Sequence, residues 1–264
     1  MPLSSQSPPT KKVTNVTPHV VDIHRVGTTL DFWGLRAVYG SSMIRLRQIA
    51  LVAHSLDQAT ADISAALDLD VIYQDPGVGY FGLHNALFCI GDQFLEVVSP
   101  IQEGTTAGRL LDKLGGDGGY MALYEVNDLD ARIDHVKSLG IRTVWEGTGD
   151  AIRGRHLHPR DTGGTLVSLD QPDIAGEWAW GGPQWKSRRT SSVVSSIDSF
   201  TVSVPDADFT RTHWTQLGIN EAVRFVPCGD QPEGLTQVTM KCVDSSRDGE
   251  TFQLCGITIT LKAL

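Results

Sequence analysis

Residues 126–141 read VNDLDARIDHVKSLGI, and residues 204–219 read VPDADFTRTHWTQLGI. The two stretches align without a gap and share a Val, two Asp, a His and a closing Leu-Gly-Ile triplet at equivalent positions. Residues 55–69 form a looser copy that opens with Ser-Leu-Asp. A repeated unit of this size cannot bury its apolar face alone, so the copies are expected to pack against one another. A functional site is then expected where two copies pair.

Each copy is predicted to be a strand, a helix and three further strands. In the first copy, residues 44–53 alternate in polarity and then become continuously apolar, which is typical of a strand. Ser55 can cap the helix that follows, and Asp128 holds the same place in the second copy. Gly140 marks the expected end of the second helix.

The order of these units predicts an α+β chain in four parts. In chain order, they are a leader over residues 1–43, paired βαβββ modules over residues 44–172, a linker over residues 173–196, and a third βαβββ-like module over residues 197–264. The leader is Ser-, Pro- and Thr-rich at its start and is expected to be disordered, with a targeting peptide as the alternative. The linker holds three of the six tryptophans, which could pack back on the paired modules.

The composition and charge of the chain limit the kinds of molecule that it is expected to bind. The net charge is −9, which argues against nucleic acid, because binding to phosphates needs clustered Lys and Arg. No apolar run is long enough to span a membrane. The four cysteines form no Cys-x-x-Cys pair and do not demand an oxidising compartment. These features predict a cytoplasmic protein with a small-molecule ligand.

The repeated Asp-Leu-Asp helix start and the segment 158–166, HPRDTGGTL, resemble the vicinal oxygen chelate superfamily. That superfamily contains glyoxalases, extradiol dioxygenases and bleomycin-resistance proteins, and segment 158–166 is most similar to its methylmalonyl-CoA epimerase branch. The resemblance covers residues 44–172 well and residues 197–264 more loosely. It implies tandem βαβββ modules whose mixed sheets curl into a glyoxalase-like cup, with a third related module. In metal-dependent members, four side chains from the first and last strands of each module hold one divalent metal in the cup.

Transferred residue by residue, the resemblance places Gln48, Glu96, Met121 and Ser168 at those four positions. Gln and Glu are credible oxygen ligands, whereas Met and Ser are poor partners for divalent metals. Two hypotheses for the cofactor therefore remain open: a weakly held divalent metal on Gln48 and Glu96, or no metal. Glu96 itself has two interpretations. It is either a proton shuttle whose pKa is raised by burial, or a structural carboxylate that is hydrogen-bonded to Gln48.

Further side chains are expected to contact a ligand in the cup. They are Tyr120, Met121, Phe94, His156, His158 and Ser168. His156 and His158 are two residues apart and would share one face of a strand. The alternative for each histidine is a structural or solvent-exposed role beside the Pro-Gly turn.

Two functions from different classes are consistent with these residues. In the first, the protein is a lyase or isomerase that acts on a small oxygenated organic acid or thioester by proton transfer, with Glu96 as base and Gln48 as its partner. In the second, it is a metal-free protein that binds or sequesters a small molecule, as bleomycin-resistance proteins do, and Met121, Phe94, Val98 and Leu123 line an apolar pocket. The third module would either cap the cup or pair with its counterpart in a homodimer.

Overall fold

The computed structural model describes residues 43–149, 151–188 and 190–264, which belong to one compact unit. The predicted leader, residues 1–43, lies outside the described residues except for Met43. The first module and the helix after it contain β1 (Ile44–Val52), α1 (Leu56–Leu67), β2 (Val71–Tyr73), β3 (Leu83–Ile90), β4 (Gln93–Pro100) and α2 (Thr106–Leu114). The second module contains β5 (Gly118–Val126), α3 (Leu129–Ser138), β6 (Thr143–Thr148), β7 (Ile152–Leu157), α4 (Pro159–Thr162) and β8 (Leu166–Pro172). The remaining elements are β9 (Val194–Val204), α5 (Ala207–Leu217), β10 (Val223–Pro227), β11 (Gly234–Cys242), β12 (Thr251–Leu254) and β13 (Ile257–Lys262).

The repeated sequence motif starts each long helix by the same contact. The side chain of Asp128 accepts a hydrogen bond from the backbone N–H of Ala131, and that of Asp206 accepts one from Phe209. These bonds satisfy backbone donors that a helix leaves free at its first turn. Gly140 and Gly218 follow α3 and α5 with φ of 85° and 68°. The left-handed backbone that ends each helix thus explains the glycine of the Leu-Gly-Ile triplet.

The paired modules share one sheet. Its eight strands run in the order β2-β3-β4-β1-β5-β8-β7-β6, and the antiparallel pair β1–β5 joins the two modules at the centre. Phe81 follows β2 at one end of this order, yet its ring lies 5.7 Å from that of Trp145 on β6 at the other end. The two ends therefore meet over one face, and the sheet curls into the predicted cup.

The last part of the chain forms a second sheet rather than one more βαβββ unit. Its five strands run in the order β10-β9-β11-β13-β12, and β9 begins at Val194, three residues before the predicted start of the module. The pairings β9–β10 parallel, β9–β11 antiparallel and β11–β13 parallel repeat those of β1–β4, β1–β5 and β5–β8. The second sheet is thus a shortened version of the first, with two reduced modules.

The second sheet packs on the convex side of the cup and closes one hydrophobic core with it. The ring of Tyr124 lies 6.5 Å from that of Phe200, and its hydroxyl donates a hydrogen bond of 2.8 Å to the carbonyl of Glu221. A Cβ on Gly119 would lie 2.3 Å from the carbonyl oxygen of Leu235, so only glycine allows the sheets to approach this closely. Among the described residues, no helix has the length and apolarity needed to span the bilayer.

The helix α2 is additional to the predicted unit of a strand, a helix and three further strands. Ala107 and Leu111 of this helix pack against Val52 and Val98 on the concave side. Gly115 ends α2, and Gly118 already belongs to β5. The helix therefore covers one end of the cup.

We predict that Trp214 carries the attachment of the second sheet. Its indole is fully buried on α5 and donates a hydrogen bond of 2.8 Å to the carbonyl of Thr162 in the second module. Trp214→Ala should lower the free energy of unfolding by about 3–5 kcal/mol, the usual cost of deleting a buried Trp or Phe ring. Phe209 on the same helix is 67% exposed, and Phe209→Ala should change it by less than about 0.5 kcal/mol. Urea unfolding followed by circular dichroism measures both, and equal midpoints would contradict the prediction.

Candidate functional site

The strand registers place the four residues at the metal-ligand positions on the concave face in a symmetric arrangement. Glu96 of β4 pairs with Ala50 of β1, and Ala50 lies two residues after Gln48. Ser168 of β8 pairs with Leu123 of β5, and Leu123 lies two residues after Met121. The same offset in both modules supports the residue-by-residue transfer made from the sequence.

Glu96 is the centre of a buried hydrogen-bonded cluster. Its carboxylate accepts a hydrogen bond of 2.8 Å from Nε2 of Gln48 and one of 2.6 Å from Nδ2 of Asn85. Gln48 and Asn85 are each 2% exposed, whereas Glu96 is 7% exposed. The structure therefore contains the predicted contact between Gln48 and Glu96, and it adds a second amide that the sequence prediction did not name.

The orientation of both amides is set by donors at their far ends. The indole Nε1 of Trp178 donates to Oε1 of Gln48 over 2.8 Å, and the backbone N–H of Asp75 donates to Oδ1 of Asn85 over 2.8 Å. An indole N–H and a backbone N–H can only donate hydrogen bonds, so the atom that faces each of them must be the side-chain amide oxygen. The nitrogens of Gln48 and Asn85 are therefore both turned toward Glu96.

The electrostatics of Glu96 follow from this environment. Burial raises the pKa of its carboxyl, and the hydrogen bonds from Asn85 and Gln48 oppose that rise because they stabilise the charged form. Burial, together with the charge of Glu96, raises the pKa of Tyr120 to about 12. The pKa of the Glu96 carboxyl thus lies above its ordinary value, and the Tyr120 phenol keeps its hydrogen at neutral pH.

The residues of the cup do not fit a divalent metal. The oxygen of Gln48 accepts the indole N–H of Trp178 and its nitrogen faces Glu96, so Gln48 turns an N–H donor, rather than an oxygen ligand, toward the carboxylate with which it would share a metal. Met121 and Ser168 hold the remaining positions and are poor ligands for hard cations. Within residues 43–149, 151–188 and 190–264, no three His, Cys, Asp or Glu side chains come together as a metal site.

The linker covers the concave face of the cup. We call residues 173–188 the tryptophan strap. Trp178 and Trp185 of the strap pack in one cluster with Phe94 and Met121. The buried guanidinium of Arg47 lies 5.1 Å from the ring of Trp178, within cation–π distance. The strap therefore fills the part of the cup beside β1 and β4.

A buried carboxylate holds the start of the strap in place. The carboxylate of Glu125 accepts a hydrogen bond of 2.7 Å from Nη1 of Arg47 and another of 2.7 Å from the backbone N–H of Gly176. Arg47 and Glu125 are both almost fully buried, and Glu125 also pairs with Arg45 at 3.0 Å, so removal of Glu125 would leave the buried Arg47 charge without a carboxylate. The entry of the strap into the cup is thus a fixed feature of the fold.

The structure separates the two histidines. His156 lies on β7, where its ring stacks 4.3 Å from that of Trp145 and 6.1 Å from that of Phe81. Burial lowers the pKa of His156 to about 3, so its imidazole is neutral. His158 lies beyond the end of β7, and its Nδ1 accepts the backbone N–H of Arg160 at the start of α4. The shared strand face expected for the pair does not exist, because the strand stops between them.

Two other predicted contact residues are enclosed. Phe94 is fully buried beneath the strap, with its ring 5.4 Å from that of Trp185. Ser168 is fully buried, and its hydroxyl lies 3.5 Å from the carbonyl of Arg155. Met121 packs in the cluster of the strap, and Tyr120 packs against that cluster and also against the cluster that α2 forms on the concave side.

Sequence signals existed for some of the residues that were missed. Asn85 interrupts the apolar strand LHNALFCI and alternates with Leu87, which lies opposite Glu96, so period two places it on the same face. Asp170 falls two residues after Ser168 by the same rule. Trp178 lies in a segment without periodicity, and nothing in its spacing points to Gln48.

Asp170 is a second buried carboxyl on the concave face. Its Oδ1 accepts a hydrogen bond of 3.1 Å from Nε1 of Trp180, and its Oδ2 has no hydrogen-bond partner among the described residues. Burial raises its pKa from 3.8 to about 7, against the opposing hydrogen bonds from Ser168 and Trp180. The folded protein therefore keeps a proton that the unfolded chain releases between about pH 4 and pH 7.

We predict that Asp170 destabilises the fold above neutral pH. Because its pKa is raised, its contribution to stability is lost as pH rises through that window, and the cost is complete above pH 7. Asp170→Asn should increase the free energy of unfolding by a few kcal/mol at pH 8 and have little effect at pH 4. Urea unfolding at both values measures the difference, with exposed Asp173→Asn as the control. A difference that does not change with pH would contradict the assignment.

Comparisons with known proteins agree with this architecture. The family model described as a glyoxalase-like domain matches residues 49–218, more than half of the chain. The ethylmalonyl-CoA/methylmalonyl-CoA epimerase of Cereibacter sphaeroides is 29% identical over 133 residues, which cover 48% of this chain and 97% of that protein. The mitochondrial methylmalonyl-CoA epimerase of Homo sapiens is 26% identical over 130 residues, which cover 48% of this chain and 73% of that protein.

A solved structure extends the likeness to both sheets, as a matter of fold alone. A hypothetical protein from Staphylococcus aureus superposes with a TM-score of 0.64 at 13% identity and covers 84% of this chain and 100% of its own. The matched family model, the curled sheet and the tandem βαβββ units lead to one conclusion. The chain belongs to the glyoxalase-like domain family, within the vicinal oxygen chelate superfamily.

Proposed function

We propose that this protein is a metal-free enzyme that moves a proton at a carbon next to the carbonyl of a small oxygenated acid or thioester. The observation that carries the proposal is the Glu96 carboxylate, held as an acceptor by Gln48 and Asn85 inside an apolar cup. A general base works best when its pKa lies near the pH at which it acts, and burial moves that of Glu96 upward.

The proposed step uses two side chains of this chain. The Glu96 carboxylate takes the proton from the carbon, and the electron pair of the broken C–H bond moves to the carbonyl oxygen as an enolate forms. The Tyr120 hydroxyl, whose pKa is about 12, donates a hydrogen bond to that oxygen. Return of the proton from Glu96 to the opposite face of the carbon, after the enolate has turned in the site, inverts that centre and completes an epimerisation, whereas return to the same face restores the starting compound. Loss of a leaving group from the enolate would make the same site a lyase.

The relatives support proton transfer at such a carbon. The proteins from Cereibacter sphaeroides and Homo sapiens are named as epimerases of CoA thioesters, and an epimerase changes the configuration at one centre. The alternative function is a metal-free binding protein, which the apolar wall of Met121 and Leu123 beside the site favours. Turnover separates the two functions, because a binding protein takes up the compound unchanged. The homodimer and the cytoplasmic location stay predictions of the sequence.

We predict that Glu96→Gln abolishes proton exchange while leaving the fold intact. Wild-type protein should exchange the α-proton of methylmalonyl-CoA with solvent in D₂O, which proton NMR detects as loss of that signal. The amide cannot accept the proton, so the rate should fall by about 10²–10⁴-fold. The control is Glu146→Gln, since Glu146 has a largely exposed side chain and lies on β6. A Glu96→Gln protein that keeps more than half of the wild-type rate would contradict the assigned base.

We also predict that the exchange is independent of divalent metal. Because Gln48 turns its NH₂ group toward Glu96, and Met121 and Ser168 are poor metal ligands, EDTA should leave the rate within about two-fold of its starting value. Addition of Co²⁺, Mn²⁺ or Mg²⁺ after EDTA should not increase it. Loss of exchange in EDTA that any of these ions restores would show that a metal takes part. Wild-type protein that binds the thioester tightly but shows no exchange would instead favour the binding function.

A further inference from the structure

We propose that Trp178 is a positioning residue for Glu96, which it controls through the side chain of Gln48. This inference rests on the proposed role of Glu96 as the base. The indole N–H of Trp178 fixes the direction of the Gln48 amide, so that Gln48 can only donate to the carboxylate. Trp178 lies 130 residues after Gln48 in the chain and belongs to the strap rather than to the modules that build the cup.

The geometry leaves Gln48 with one orientation. Its oxygen lies 2.8 Å from the indole nitrogen, and its Nε2 lies 2.8 Å from Oε2 of Glu96. Turning the amide by 180° would place its NH₂ group against the indole N–H, two donors facing each other. Trp178 is fully buried and Gln48 is 2% exposed, so water cannot relieve that contact.

The strap holds Trp178 where it is needed. The guanidinium of Arg47 lies 5.1 Å from the Trp178 ring, and the carboxylate of Glu125 binds both Arg47 and the backbone N–H of Gly176, two residues before Trp178. The indole therefore has little freedom to withdraw from Gln48. This arrangement differs from a metal cage, in which a side chain at this position would present its lone pair to the ion.

The consequence for Glu96 follows from what an amide can offer. A locked Gln48 can only donate, and its hydrogen bond stabilises the carboxylate more than the protonated acid. A free Gln48 could also turn its oxygen toward the acid proton and stabilise the neutral form. Trp178 thus holds Glu96 in the form that accepts a proton. The other groups that act on this carboxyl are Asn85, whose amide is locked by the backbone of Asp75, the Asp75 charge, and Tyr120.

The test reads the protonation of Glu96 in ligand-free protein. Protein labelled with ¹³C at the glutamate carboxyl carbons is titrated by NMR, and the Glu96 signal is identified by its loss in Glu96→Gln. Replacement of Trp178 by 3-benzothienylalanine keeps the ring shape and removes the N–H, and Trp178→Phe is the second variant. Either should raise the Glu96 midpoint by about one pH unit, a tenfold change in its proton affinity.

Two controls separate positioning from general loosening of the strap. Trp180→Phe removes an indole N–H from the same strap that serves Asp170 instead, and it should leave the Glu96 midpoint unchanged. In a Gln48→Met background, the change at Trp178 should add nothing, because the residue through which it acts is gone. No shift in either Trp178 variant, an equal shift in Trp180→Phe, or a full shift in the Gln48→Met background would each overturn the inference. A failure of proton exchange alone would leave this result standing, since the titration needs no substrate.

Discussion

Two amide N–H groups aimed at one buried carboxylate are the interaction on which the site depends. Moving an ionised carboxyl out of water is costly, and Glu96 is only tolerated in the cup because Gln48 and Asn85 supply charge-assisted hydrogen bonds. Each amide is locked by a donor at its other end, so the pair forms a fixed field directed at the carboxylate. A field of this kind costs no rearrangement when charge changes during a reaction.

Under the proposed metal-free function, the strap and the two amides take the place of the ion that metal-dependent members hold in the cup. In the metal-dependent arrangement, an ion neutralises a carboxylate and polarises the substrate. Here the positive character comes from N–H dipoles, and the space on the concave side is filled by Trp178 and Trp185. The substitution of Met121 and Ser168 at two ligand positions is then consistent with the rest of the site rather than an isolated loss. The buried pair of Arg47 and Glu125 serves this arrangement by holding the strap against the sheet.

The parts of the fold that could be predicted from the sequence are those set by residues close together in the chain. Asp128 and Asp206 were readable as helix caps because the capping bond spans three residues, whereas the cup was implied by the resemblance to the vicinal oxygen chelate superfamily. The second sheet was read as one module because its strands were counted along the chain. Its two reduced halves emerge only from pairings such as that of Gly234 with Ser203, more than thirty residues apart.

The same division holds at the site. Gln48 and Glu96 could be placed from strand period and resemblance, and their contact is present in the structure. His158 was misplaced because the Pro that follows it ends the strand and starts α4. The contact of Trp178 with Gln48 could not be predicted from the sequence. Gln48 lies on a strand 130 residues earlier, and the strap has no periodicity that would indicate which way its side chains point.

The central claim is that both amides present nitrogen, and neither presents oxygen, to the Glu96 carboxylate. Neutron diffraction from crystals of deuterium-exchanged protein tests it most directly, because deuterium and the amide heavy atoms are seen separately. The account predicts deuterium density on Nε2 of Gln48 and on Nδ2 of Asn85, each pointing at Glu96, with deuterium on the indole nitrogen of Trp178 pointing at Gln48. An amide oxygen facing Glu96, or a metal ion between Gln48 and Glu96, would contradict it.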